Sequence, residues 1–407
     1  MNEPIFIARQ DTLEQEILPA HWLAQYKLFG EESYTFQDKE IWKKLCMSSA
    51  AANDRDMHAE ALEEMLTTFS AEHTGKWMLT VYGMDAAVLE GLASMAAIAA
   101  NGTAMAAVAG NALLMHAITN SETAMQAISR SQTAMQRIAN STTAMDAISG
   151  SKIARGAVQA SPYYNSYIKE NDMAIAKLVV SFANLASAGY SGMAGVAADA
   201  TAMNAVAASS VARNAISASP YYDAKIKEND MAIAKLVVGF ANLESARYSG
   251  CAGMAADSTA MTAVAASGVA LKAIAQAYKK TANMLQFLKA VNASDTLVKR
   301  IYSTLTNATA LFGAAQLGSQ DSVENANSWA TTSAAPNAFL ACACGYYGSS
   351  SDSVSVTYNG TVIAQKKTGI KQPGSVASTN VNAITMAPST FTENGDGYLA
   401  VQKFTAK

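Results

Sequence analysis

The sequence predicts a mainly α protein: a helical head, a solenoid-like shaft of short stacked helices, and a small C-terminal antiparallel β-sandwich or barrel. Three observations carry that prediction. Residues 101–160 repeat every ten positions. A longer segment beginning at Ser161 recurs almost unchanged at an offset of 58 residues. The last 70 residues, 338–407, change to alternating runs joined by turn signals.

Residues 1–80 form the first element. They hold three of the four Trp (Trp22, Trp42, Trp77) and three of the four His (His21, His58, His73). Ile41 and Leu45, then Met57, Leu62, Met65, Leu66 and Phe69, recur at three- and four-residue steps, which is a helical pattern. Two readings fit this head. It docks the chain onto a larger assembly through its bulky aromatics, or it caps the first repeat, as an open-ended array requires.

The shaft spans 81–276. Its decads read NGTAMAAVAG, NALLMHAITN, SETAMQAISR, SQTAMQRIAN, STTAMDAISG and SKIARGAVQA. Met holds the fifth place at Met105, Met115, Met125, Met135 and Met145, and a branched aliphatic holds the eighth. A continuous helix turns about 100° per residue, so ten residues would swing the Met stripe by about 80° per repeat. The pattern therefore predicts one chain break per decad. Ser121, Ser131 and Ser141 suit an N-cap, and the six or seven residues that follow are good helix formers. Helices this short must stack to persist. The alternative is a continuous Ala-rich coiled coil with accidental decads.

After Ser161 the repeat lengthens. Segments 161–218 and 219–276 are tandem copies, both containing KENDMAIAKLVV. Ile175, Leu178, Val179, Phe182 and Leu185 mark an amphipathic helix, repeated at Ile233, Leu236, Val237, Phe240 and Leu243. The pairs Tyr163-Tyr164 and Tyr221-Tyr222 follow Pro162 and Pro220, and such a pair either seals a helix junction or forms an aromatic contact patch. Near identity of tandem copies suits a spacer, because duplication lengthens an array without altering its ends.

Residues 277–318 read as capping helices broken near Asn292-Ala293-Ser294, and 319–337 as a polar linker. In 338–407, Val354, Val356 and Tyr358 alternate before Asn359-Gly360, with Val362 and Ala364 beyond. Asn-Gly between alternating runs is a strong hairpin signal. Four to six short strands are expected, arranged as a sandwich or barrel.

Composition excludes several classes. A net charge of −3 with 15% charged residues gives no basic field for nucleic acid. Four cysteines are too few and scattered for a disulfide framework, and Cys342-x-Cys344 reads as strand core. The run Gly91–Ile118 has no charged residue, but Asn101, Gly102, Thr103, Gly110 and Asn111 interrupt it, so no membrane span is expected. The start MNEPIFIARQ lacks a cationic stretch followed by an apolar run, so no signal peptide is expected. There is no phosphate loop, HExxH or EF-hand loop, and GYSGMAG at Gly189 lacks a nucleophile elbow's final glycine. The reading is a non-enzymatic protein with no catalytic residue, metal or cofactor.

The loops of the β domain are the candidate recognition surface. They carry Tyr346, Tyr347, Ser350, Asn359, Gly360, Phe391, Asn394 and Asp396, types that binding loops favour. Ordinary polar turns on a capping domain are the other reading.

The units of type SxTAMxAIxx at Ser121, Ser131 and Ser141 resemble repeats in structural proteins of tailed bacteriophages, such as tail-fibre and other virion proteins. The similarity covers roughly residues 90–276, and the plan of head, repetitive shaft and β tip is also similar. The resemblance implies a multi-copy or oligomeric virion appendage, made in the host cytoplasm. It would join other virion proteins through its head and a host surface protein or glycan through its tip. It supplies no binding residues. A bacterial repeat-type surface or scaffolding protein is the alternative, with a polysaccharide- or peptidoglycan-degrading enzyme behind it.

Overall fold

The computed structural model describes residues 84, 86–89, 91–92, 94–277, 281–320, 328–330, 338–346, 353–367, 375–386, 389–394 and 397–407. The head at 1–80, with Trp22, Trp42 and Trp77, lies outside the described residues, as do Tyr347, Ser350 and Asp396. The protein is mainly α with a small C-terminal β domain of antiparallel strands in two sheets. The chain divides into two compact units, residues 1–181 with 186–192, and residues 182–185 with 193–407.

In the first unit the decads are separate helices: α1 Ala86–Leu89, α2 Met95–Ala100, α3 Gly102–Gly110, α4 Ala112–Thr119, α5 Glu122–Ser129, α6 Gln132–Ala139, α7 Thr142–Gly150 and α8 Lys152–Ala160. The expected breaks are present, so the coiled-coil alternative does not hold. Each break between α2 and α8 contains one extended Ser or Asn, such as Ser131 at φ −100, ψ 121, whose hydroxyl accepts from the amide of Ala134. Successive helices turn sharply: α3 and α4 are bent by 99°. Three such turns nearly close a circle, so each helix packs chiefly on the third one after it, α3 on α6, α4 on α7 and α5 on α8. The sequence period is ten, but the structural period is three decads.

The capping serines also set the distance between turns. Ser131 Oγ donates to Ala99 O at 2.6 Å, Ser141 to Ala109 O at 2.6 Å, Ser151 to Thr119 O at 2.5 Å and Ser161 to Ser129 O at 2.6 Å. One hydroxyl thus accepts from its own helix and donates to the coil before it, which satisfies a donor and an acceptor at two helix ends. Inside, the fourth, fifth, eighth and ninth places of a decad are buried: Ala134, Met135, Ile138 and Ala139 in α6. Ala lets the helices approach, and flexible Met fills the remaining space. Ser151→Ala removes the cap and strands the Thr119 carbonyl. We expect a loss of about 2–4 kcal/mol by denaturant unfolding.

A five-residue π-helix, π1 Tyr164–Ile168, follows α8 and leads into α9 Asp172–Phe182. The second unit repeats this order: α10 Met193–Ala198, α11 Ala200–Ala208, α12 Ser210–Ser217, π2 Tyr222–Ile226, α13 Asp230–Phe240, α14 Cys251–Ala256, α15 Ser258–Ala266 and α16 Gly268–Gln276. The amphipathic helix ends earlier than its apolar pattern, at Phe182 and Phe240 rather than near Leu185 and Leu243. Asn184 and Asn242 take left-handed φ values of 59° and 58°, which stop a helix. Ser209 Oγ donates to Phe182 O at 2.9 Å and Ser267 Oγ to Phe240 O at 3.0 Å, so the hydroxyl bridge is kept across a coil of 27 rather than 32 residues.

In the second copy an aspartate caps a helix from a distance. Asp230 Oδ1 accepts from the Cys251 amide at 3.0 Å, at the start of α14. A Cβ on Gly250 would overlap the Asp230 carboxylate, as one on Gly192 would overlap Asp172. Gly250→Ala should displace that cap and lower the urea midpoint by the equivalent of about 1–3 kcal/mol. An unchanged midpoint would show that the carboxylate moves freely.

The array ends in α17 Thr281–Asn292 and α18 Asp295–Asn307, broken where the sequence predicts, with Ser294 as the cap of α18. The next segment corrects the expectation. The helical reading ran to about residue 318, but the helix stops at Asn307 and Phe312–Gln320 is strand β1. Its partner is β8 Gly397–Ala406, with Phe312 opposite Ala406. The run FGAAQLGSQ has no clean alternation, so only the distant partner fixes its conformation. The linker likewise contains β2 Ser328–Ala330.

Residues 338–407 hold six strands, within the four to six expected, and β1 and β2 bring the described total to eight. With β3 Ala338–Tyr346, β4 Ser353–Tyr358, β5 Thr361–Lys367, β6 Ala383–Met386 and β7 Ser389–Asn394, they form sheets of order β1-β8-β3-β6 and β2-β7-β4-β5. Phe339, Cys342, Val401 and Phe404 are buried in one sheet, and Val354, Val356, Tyr358 and Phe391 in the other.

Helices α17 and α18 pack on this domain. The buried Asn292 side chain donates to Ile384 O at 2.7 Å and accepts from Ile384 N at 3.0 Å, standing in for a neighbouring strand at the edge of β6. Tyr302 donates to Val376 O at 2.9 Å and meets Phe404 edge to face. The tip is therefore fixed to the last helices.

Candidate functional site

The sequence points to one recognition surface on the β domain, and strand register divides it. Tyr346 ends β3 opposite Gly397, the first residue of β8. Asn394 ends β7 opposite Ser353, the first residue of β4. These four strand ends lie at one end of the sandwich. Asn359 and Gly360 follow the last residue of β4, at the other end of that strand. Both are exposed, with φ of 48° and 75°, the left-handed pair a tight hairpin turn requires. Val362 beside the turn is 53% exposed.

Phe391 must be withdrawn from this surface. It lies within β7, paired with Trp329 on one side and Val356 on the other, and is fully buried. The run TFTEN reads as a polar loop because only Phe391 is apolar. Its Thr neighbours favour a strand equally well. Asn394 is likewise a strand-end residue rather than a loop residue.

Sequence reasoning missed the most unusual polar groups. Lys177 in α9 and Lys235 in α13 are 1% and 2% exposed. Lys177 Nζ donates to Asp146 Oδ1 at 2.5 Å and to Ser187 O at 3.0 Å. Lys235 Nζ donates to Asn204 Oδ1 at 2.6 Å and to the carbonyls of Ser245 and Ala246 at 3.1 and 3.3 Å. Ser187 Oγ donates to the same Asp146 oxygen at 3.0 Å, and Ser245 Oγ to the same Asn204 oxygen at 3.3 Å. The partners lie 31 residues apart, one coil back, at the sixth place of a decad. Burial pushes the Lys235 ammonium below the ordinary lysine range. The available signal was a lone Lys inside the apolar run MAIAKLVV, present in both copies.

Other reactive groups are quiet. Cys251 is buried beside Asp230, and burial and then that carboxylate hold its thiol well above the usual range, which disfavours the reactive thiolate. Tyr222 is buried, and its phenol is pushed up, first by burial and then by Asp223. Tyr222 therefore supports the junction reading of the paired tyrosines. Among the described residues no group of three or more His, Cys, Asp or Glu is placed to hold a metal ion. No single described helix is long and apolar enough to cross a membrane. No protein-family model matches the chain, and no curated protein matches it.

Proposed function

We propose that the protein is a non-enzymatic virion appendage whose coiled shaft holds a β-sandwich tip away from the particle for attachment to a host surface. The observation that carries this reading is the shaft's construction from interchangeable coils, each joined to the one before it by a Ser hydroxyl or a buried Lys. Such an array can be lengthened by duplication without altering its ends. The tip's docking through Asn292 and Tyr302 supports the reading, because a distal contact surface must be held by its stalk. The head at 1–80 would join the other virion proteins, and the tip would contact a host surface protein or glycan.

The test is adsorption. Full-length protein added to host cells should slow adsorption of whole particles. A Tyr347→Ala, Asp396→Ala double variant should lose that competition while keeping its melting transition. Equal competition by the double variant would move the contact away from those residues. No competition by folded wild-type protein would leave the tip a purely structural part.

A further inference from the structure

We propose that the two buried lysines are sites of spontaneous isopeptide formation, Lys177 to Asp146 and Lys235 to Asn204, stitching successive coils together covalently. This stands on the geometry of the pairs and is independent of the functional reading above. Three features converge at each. The amine is almost wholly buried, at 1% and 2% exposure, so it is held against its partner rather than hydrated. It lies 2.5 or 2.6 Å from the side-chain oxygen, with the electrophilic Cγ one bond beyond. A serine hydroxyl, Ser187 or Ser245, donates to that same oxygen, where charge develops as the carbonyl is attacked.

The two pairs differ at the partner residue, Asp146 in one and Asn204 in the other. These carry the two side-chain groups that can give the same amide. Positioning of this kind replaces a bimolecular encounter and removes a large part of the barrier.

The steps balance without a co-reactant. At the first pair the ammonium passes a proton to the Asp146 carboxylate. The Nζ lone pair attacks Cγ, the Cγ–OH bond breaks, and the hydroxyl leaves as water with a second proton taken from Nζ. The product amide is neutral, which relieves the cost of holding an ionised lysine out of water. At the second pair the neutral Nζ attacks Cγ of Asn204, the Cγ–Nδ2 bond breaks, and Nδ2 leaves as ammonia carrying the proton from Nζ. Burial already biases the Lys235 amine toward the neutral, nucleophilic form. In both cases the new bond spans 31 residues and joins one coil to the coil before it.

Mass spectrometry of the full-length chain, folded, incubated and then denatured, decides the matter. The expected mass is that of the sequence less one water and one ammonia. Trypsin should no longer cut after Lys177 or Lys235, and branched peptides should join each to its partner. Lys177→Arg should restore the water and Lys235→Arg the ammonia, whether or not those variants fold well. A folded protein that keeps its full sequence mass overturns the proposal. So does a deficit that maps elsewhere, such as a succinimide at Asn359-Gly360.

Discussion

Removing all of residues 161–218 is expected to leave a folded, cooperatively melting protein, while replacing the single residue Met135 by Asp is expected to unfold the first unit. The deletion takes out one tandem copy, which is two turns of the coil. Ser219 then follows Ala160 and meets the sequence that Ser161 met, and Lys235 comes to stand opposite Asp146. Repeat stability is roughly a sum of unit and neighbour terms, so the loss is graded. Met135 is fully buried among Ala134, Ile138 and the facing coil. A carboxylate there has no partner and costs several kcal/mol, more than half of a typical domain's stability. Circular dichroism melts of the two variants check both. A deletion variant without a cooperative transition would contradict the interchangeable coil, and so would a Met135→Asp variant that melts like the parent.

The second large effect concerns the buried lysines. Lys177→Ala leaves a cavity, strips the Ser187 carbonyl of its donor and leaves the partly buried Asp146 carboxylate without its cation. We expect a loss of about 3–5 kcal/mol. Asp146→Asn should cost no more than about 1 kcal/mol, because Asp146 is one-third exposed and Asn204 fills the same role opposite Lys235. Chemical denaturation of both variants separates the readings. If Asp146→Asn were as damaging as Lys177→Ala, the ionic attraction rather than the shared hydrogen bond would hold the coils.

In chains where Lys235 has not been joined to Asn204, it adds a pH dependence of definite sign. Burial lowers its folded pKa below the ordinary lysine value of 10.5, so the folded state binds fewer protons than the unfolded chain between those two values. Its contribution therefore becomes more favourable as pH rises through that window, and is least favourable below it. The difference in stability between wild type and Lys235→Met should shift toward wild type as pH is raised toward the ordinary lysine range. A difference independent of pH there would show that Lys235 titrates as in the unfolded chain.

The shaft was legible because its signals are local. A Ser opener, a run of helix formers and an incompatible helical period decide each break within ten residues, and Ser121, Ser131 and Ser141 all cap as read. The three-helix turn was not legible, since nothing within a decad states the angle at which it meets the next. The π-helices at Tyr164–Ile168 and Tyr222–Ile226 were hidden for a similar reason: one extra residue in a turn leaves no compositional mark. The Asn359-Gly360 hairpin was read from its turn chemistry, whereas β1 needed a partner almost at the other end of the domain. Phe391 was misplaced because strand pairing on both sides, not its polar neighbours, decides its burial.

The proposal that this chain is a virion appendage with the β-sandwich as its exposed tip is tested most directly on purified particles. If it holds, an antibody raised to residues 338–407 should decorate virions purified from cells that produce the chain, and electron microscopy should find the label displaced outward from the particle. Particles that lack the chain altogether, with the protein recovered only from the cell surface or cytosol, would contradict the claim.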